Sequence, residues 1–468
     1  MPGGGLPQEL LRAISSPGGG KVALVVGAGC SAEAPTGIPM ARECSVEVHR
    51  RLVADGILQD RDCADPSDLS LVADAVFDKT GSQKELVERL CERYELKLAS
   101  ANEGYLIAAA MLCEGAISSV VTLNFDLALS DAIAQLGAAQ VVGLIECPED
   151  MPRKQKAINV YYLHRNANEL DPDLWVLRNA ALQNEWRGHW QPIIATRVLT
   201  APVVVFAGLG NPAAVLIETM KLVQHALPTA TSFYQVDLAD RGESRSFREL
   251  GLDPSSYIKR GWGQFMDDLS QRLLAEQVSG LQQAVLRKIE EDRLPSENVH
   301  GLLVRLQILG LLKLGKLRAH WLLHDKAYCP ARQHPCGLVA DLLLAVAMMA
   351  RVSGAAAVIA DDGLVEFERD GRIVVAFLVA SGGGHRGRSA VEAEVESRRR
   401  QFRSRRSLPR GVLVGGTSDS WTTLVTPPED VVRGDAIEGD IVSGSTALLL
   451  LHISELRSDS RRIHELVP

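Results

Sequence analysis

The sequence predicts an α/β protein. A Rossmann-like parallel sheet occupies residues 1–277, a helical connector 278–336, and a C-terminal α/β sandwich domain 337–468. Three observations predict this. Short apolar runs rich in Val, Ile and Tyr alternate with helix-like segments, the rhythm of parallel strands covered on both faces. A glycine turn, GAGCSA (27–32), directly follows the first such run, and ligands of open parallel sheets bind at the carboxyl ends of strands. The 468 residues, 46% apolar and 23% charged, suit a folded chain of two or three domains.

In chain order the predicted strands are VALVV (22–26), SSVVTLNF (118–125), INVYYL (158–163), APVVVFAGL (201–209) and TSFYQVDL (231–238). Helical patterns such as QKELVERLCERYELKLA and NPAAVLIETMKLVQHAL lie between them. The unit closes near GWGQFMDDLSQRLLAEQ (261–277), and two further helical stretches are punctuated by Pro295 and Gly315. From Gly337 the pattern reads as a buried helix (338–352), strands AAAVIA, GLVEFERD and RIVVAFLVAS, a charged helix (389–407), then strands RGVLVGG, WTTLVTP and ALLLLHI. This order resembles the core of PD-(D/E)xK nucleases. Asp361 and Asp362 stand where the first acid would fall, but RIVVAFLVAS supplies neither Glu nor Lys. The expectation is a degenerate nuclease-like domain without metal-dependent cleavage, serving assembly or sensing.

Composition narrows the class. A net charge of -8 excludes a nucleic-acid-binding surface over the whole chain. Nine arginines between 386 and 410 form a dense basic segment, with Glu392, Glu394 and Glu396 close by. A solvated helix and a contact to nucleic acid or an acidic partner both stay open there. Eight scattered cysteines without a CxxC pair suit reduced thiols in a cytoplasmic protein. The amino end lacks a signal-peptide core, and LVADLLLAVAMMA, interrupted by Asp341, is too short to span a bilayer. His320, His324, Cys329, His334 and Cys336 are zinc-capable side chains at no familiar ligand spacing, so no metal is assigned.

The strand ends carry the chemistry. GAGCSA fits G-x-G-x-x-G/A, in which glycines allow a tight turn and bring phosphate to a helix N-terminus. A nicotinamide dehydrogenase would next show a short helix and a strand ending in an acid. Here TGIP intervenes: Gly37 and Pro39 either form a loop insertion or, with Ile38, shape a flexible flap over the nicotinamide half of a cofactor, and both readings stay open. The second predicted strand runs out into Thr122, Asn124 and Asp126, the third into His164, the fourth into Gly208 and Gly210, and the fifth into Asp237.

Taken together, GAGCSAEAPTGIP, TLNFD, LHR, GLG and VDL resemble the sirtuin superfamily over roughly the first 275 residues. The resemblance implies NAD as substrate and Asn124 and His164 as the active-site pair. It places Asp126 near the nicotinamide, Gly27, Ala28, Gly29 and Ser31 in the phosphate loop, and Gly37, Ile38, Pro39 and Thr122 around the cofactor. Gly208 and Asp237 would lie near the phosphate-ribose and the adenosine ribose. The departures are informative. Deacylating sirtuins hold a structural zinc with four cysteines after the histidine, whereas 165–205 contains none. Leu123 replaces the motif Gln, Arg165 replaces the Gly of LHG, and Met40-Ala41-Arg42 follows GIP.

This combination resembles the zinc-less sirtuin-like effectors of bacterial antiphage defence. It implies an NAD+ hydrolase releasing nicotinamide and ADP-ribose, acting by abortive infection. A homo-oligomer and an operon-encoded ATPase or Argonaute-type partner are further expectations of that kinship. The alternatives are a non-catalytic sensor of NAD or an ADP-ribose-derived signal and, with a rebuilt peptide cleft, an NAD-dependent protein deacylase. Trigger, oligomer size, partner identity and hydrolysis against cyclisation are not fixed by these residues.

Overall fold

Strands β1 (Val22–Val26), β2 (Ile117–Thr122), β3 (Val142–Ile145), β4 (Ile158–Tyr162), β5 (Val203–Ala207), β6 (Ser232–Asp237) and β7 (Tyr257–Lys259) form one sheet. Its order is β3-β4-β2-β1-β5-β6-β7, and every pairing is parallel. This is the expected Rossmann-like α/β core. The structure, a computed structural model, describes residues 5–16, 19–179, 182, 190–210, 214–292, 299–322, 327–333, 336–360, 362–381, 411–415, 450–452 and 460–467. Gly382 to Arg410, WTTLVTP, Asp361, His324 and His334 lie outside the described residues.

β1, β4 and β5 are buried at every position, as continuous apolar runs in a doubly covered parallel sheet should be. β3 and β7 extend the five expected strands to seven. β3 is four residues long and holds Gly143, where an added Cβ would sit 2.4 Å from the Asn159 side chain and 2.5 Å from the Lys154 carbonyl. A weak β-former is thus required at that edge by close approach. Helices Ala41–Ala54, Leu69–Thr80 and Lys84–Tyr94 form a satellite core in which Val48, Leu52, Val72, Val76, Leu86 and Leu90 enclose Trp175.

The chain divides into two compact units, Met1–Leu273 and Leu274–Pro468. The segment expected as a connector, 278–336, falls within the second unit. Leu306 of helix Val299–Leu309 and Leu314 of helix Leu311–Trp321 share one core with Leu343, Phe367 and Phe377. That unit's sheet contains β8 (Ala356–Ile359), β9 (Val365–Arg369), β10 (Arg372–Ser381), β11 (Gly411–Gly415) and β12 (Leu450–His452). The order is β12-β11-β10-β9-β8, antiparallel from β8 to β10 and parallel from β10 to β12. Helix Cys336–Ser353 includes Asp341, whose carboxylate meets Lys288 Nζ at 2.8 Å. An acid inside an apolar helix is tolerated there because it is paired. Among the described residues, no helix is long and apolar enough to cross a membrane.

Candidate functional site

Because all seven strands are parallel, their carboxyl ends share one edge. The chain builds β2 to β4 on one side of β1 and β5 to β7 on the other. The reversal beside β1 is the place where such sheets bind ligands. Two loops meet there: Gly27–Ser31 after β1, and Gly208–Gly210 after β5.

The loops interlock through backbone. The Gly29 amide donates to the Gly208 carbonyl at 2.9 Å, and the Gly27 amide to the Ala207 carbonyl at 3.0 Å. A Cβ on Gly29 would lie 2.8 Å from Gly208 Cα, and one on Gly208 would lie 2.5 Å from the Cys30 nitrogen. Gly208 also has φ +61°, the left-handed region that glycine adopts freely. The sequence expectation of a helix N-terminus behind the glycines is corrected. GAGCSA leads into a three-residue 3-10 turn, Ala28–Cys30, and the next α-helix begins only at Ala41. The Cys30 and Ser31 amides close that turn onto the Gly27 and Ala28 carbonyls. The loop therefore spends the amides of Gly27, Gly29, Cys30 and Ser31 internally. Ala28 is left as the loop amide without a backbone acceptor among the described residues.

On the other side of β1, register decides the geometry. Thr122 pairs with Tyr162 across β2 and β4. Asn124 and His164 each lie two residues beyond that pair, so they leave the sheet side by side. The Thr122 hydroxyl accepts the Asn124 amide N–H at 3.1 Å, which makes Thr122 a backbone anchor for Asn124. Asn124 is buried, and its Nδ2 reaches the Gly27 carbonyl at 3.1 Å, Ser31 Oγ at 3.0 Å and the Tyr105 hydroxyl at 3.0 Å. Ser31 Oγ donates to Asp126 Oδ2 at 2.8 Å and lies 2.8 Å from the Tyr105 hydroxyl. Asp126 Oδ1 accepts the Ala128 amide at the start of helix Ala128–Gln135. The predicted residues Gly27, Ser31, Thr122, Asn124 and Asp126 thus form one buried network. Its proton order is readable: Asn124 N–H to Tyr105 O, Tyr105 O–H to Ser31 O, Ser31 O–H to Asp126.

Burial sets the electrostatics. It raises the Asp126 carboxyl, against hydrogen bonds from Ser31 and Ala128 that favour the charged form. It pushes the Tyr105 hydroxyl well above its ordinary range, and the Asp126 charge pushes the same way. His164 Nε2 is buried, and burial lowers the imidazole to about 4, partly offset by a hydrogen bond with the Leu123 backbone. An ordinary histidine titrates near 6.5. Its seat explains the difference: the ring stacks on Phe125 at 6.0 Å, and Phe125 stacks on Trp175 at 4.8 Å.

Tyr105 and Asn102 are the residues that motif reading missed. Asn102 caps helix Glu103–Glu114 by accepting the Tyr105 amide, and its Nδ2 donates to the Cys30 carbonyl at 2.7 Å. Tyr105 also meets Trp262 edge-on at 5.7 Å. A hydroxyl on a helix buried almost all round, EGYLIAAAMLCE, was the available signal.

The TGIP segment is tied to the body. Gly37 has φ +60° and its amide donates to the Glu33 carbonyl. The Ile38 amide donates to the Ser31 carbonyl at 3.0 Å, Thr36 Oγ1 donates to the Ser100 carbonyl at 2.6 Å, and the Ile38 side chain packs on the satellite core. Pro39 supplies its carbonyl to the Cys44 thiol at 3.4 Å. Asp237 stands two strands from β1, where its carboxylate accepts the Ala239 amide and Ser244 Oγ at 2.8 Å. Of the zinc-capable set, His320 ends helix Leu311–Trp321 and Cys329 is buried in the second unit's core. No group of three metal-binding side chains occurs among the described residues. Asp362 Oδ1 accepts the Leu364 amide in the turn before β9.

No protein-family model matches this chain, and no curated protein matches it. Solved structures do resemble it. A Sir2 homologue in complex with NAD is 16% identical, with 58% of this chain and 95% of that chain covered at TM-score 0.35. An ADP-ribose complex of a Sir2 homologue variant is 17% identical, with 57% and 96% covered at TM-score 0.35. Sir2 bound to an acetylated peptide is 14% identical, with 62% and 99% covered at TM-score 0.31.

Proposed function

We propose that this chain is an NAD+ glycohydrolase, cleaving the nicotinamide–ribose bond with water to give nicotinamide, ADP-ribose and a proton. The observation that supports the reading is that Asn124 and His164 each lie two residues beyond the paired Thr122 and Tyr162 that end the adjacent strands β2 and β4, with the Asn124 amide reaching the glycine loop. Nicotinamide leaves as a neutral molecule, and positive charge develops on the ribose as in glycoside hydrolysis. An enclosed polar amide can hold a ribose hydroxyl or the attacking water. His164, depressed to about 4, is a neutral imidazole at pH 7. One ring nitrogen is a donor and the other carries a lone pair. Such a weak base suffices when the electrophile is a ribosyl cation, because water needs little activation before it attacks.

The network also suggests why the activity would be held off. Asn124 Nδ2 and four loop amides are engaged internally. Bound dinucleotide would have to draw Asn124 away from Gly27 and Ser31. We read this as a resting site, in keeping with an abortive-infection effector whose NAD hydrolysis must await a trigger. Assembly into an oligomer, or docking of an ATPase or Argonaute-type partner, would supply it. The test is co-expression with the neighbouring genes during phage challenge, following cellular NAD. Wild type should deplete NAD, while Asn124→Ala and His164→Ala should each slow depletion by roughly 100-fold. Equal depletion in all three would remove the proposed pair.

A further inference from the structure

One strand outward from the network, a pocket of about 330 Å³ opens at the ends of β3 and β4. Its walls come from 146–154 and 165–170. Much of the wall is already knit. Glu146 Oε1 accepts Asn166 Nδ2 at 2.6 Å and Asn168 Nδ2 at 2.9 Å. The Asp150 carboxylate accepts the Glu146 amide at 3.0 Å and Lys154 Nζ at 3.1 Å. Asn166 is fully buried, so this rim is fixed.

Arg165 differs in two independent ways. Its backbone has φ +67°, a left-handed conformation that costs an L-residue roughly 1–2 kcal/mol and glycine nothing. Its side chain is only 18% exposed, and its nearest carboxylate, Glu169, stands 3.5 Å away. Charge-assisted N–H···O contacts run to about 2.7–2.9 Å, and a guanidinium carries five donors. A strained backbone therefore presents a largely buried, under-used cation to a pocket. Strain of this kind is retained where a side chain serves a purpose.

The surrounding charges define what fits. Glu146, Asp150 and Glu169 outnumber Lys154 and Arg165 on the pocket wall, so a phosphate with two or more charges meets net repulsion. A single carboxylate can take Arg165 bidentately, provided that the ligand also carries a cation for Glu169. We propose that this pocket binds a small zwitterion of the amino-acid type, its carboxylate on Arg165 and its ammonium on Glu169. The site goes beyond the NAD reading and does not depend on it.

Isothermal titration of the full chain with the twenty standard amino acids, propionate and ethylamine tests this. At least one amino acid should bind saturably, and propionate or ethylamine at least about tenfold more weakly. Arg165→Gly should abolish that binding while leaving the melting temperature unchanged or higher, since glycine accepts φ +67°. Glu169→Gln should weaken it by about tenfold or more. No saturable binding by any amino acid, equal binding of propionate, or undiminished binding to Arg165→Gly would overturn the proposal.

Discussion

His164 offers a prediction whose size follows from its surroundings. Burial against Phe125 takes the imidazole from its ordinary 6.5 to about 4. The unfolded chain binds a proton as pH falls through 6.5, while the folded chain resists until about 4. Stability from this group is therefore complete above pH 6.5 and lost progressively as pH falls towards 4. The gap of roughly 2.5 pH units corresponds to up to about 3–4 kcal/mol, at ~1.4 kcal/mol per unit. His164→Gln removes the titration and keeps a polar donor. Urea unfolding, followed by intrinsic tryptophan fluorescence, to which Trp175 of the ring stack contributes, should be run at pH 7.5 and 4.5 on both proteins. Relative to the variant, wild type should lose on the order of 2–3 kcal/mol between those pH values. A pH-independent difference would refute the buried, neutral imidazole.

Three variants of the loops and the network have defined outcomes. Gly208→Ala should cost more than about 3 kcal/mol by thermal denaturation, because its Cβ would meet the Cys30 nitrogen at 2.5 Å and its φ is +61°. Gly210→Ala, with nothing within 4 Å of the new Cβ, should cost under about 0.5 kcal/mol. Tyr105→Phe should cost about 1 kcal/mol in unfolding experiments, and should slow NAD turnover by about tenfold if the hydroxyl positions Asn124.

Much of the first unit was legible in the residues. Short runs rich in Val, Ile and Tyr announced β1, β2, β4, β5 and β6, and the polar residues ending them lie on one sheet edge, as parallel topology requires. β3 escaped because VGLI is short and contains a glycine demanded by Asn159, a neighbour invisible in one dimension. The glycine loop was readable as a turn, but its partner was not. Gly27, Gly29 and Gly208 are required by each other's backbones, a contact spanning some 180 residues. Tyr105 was hidden because periodicity reports a buried helix and not which hydroxyl on it faces a neighbour. The depressed His164 was missed for the same reason: Phe125 and Trp175 are brought to it by the fold. In the second unit helix Cys336–Ser353 and strands β8 to β12 were visible, whereas the change from antiparallel to parallel at β10 depends on pairings that no local pattern encodes.

The proposed reaction requires that a dinucleotide's glycosidic carbon sit between Asn124 and His164. A crystal structure of the full chain with carba-NAD, whose nicotinamide cannot be cleaved, tests it most directly. The nicotinamide-bearing ring should lie beside both side chains and the pyrophosphate at the Gly27–Ser31 loop, with Asn124 turned away from the Gly27 carbonyl. Carba-NAD bound elsewhere on the chain, or with its ring remote from either side chain, would contradict it.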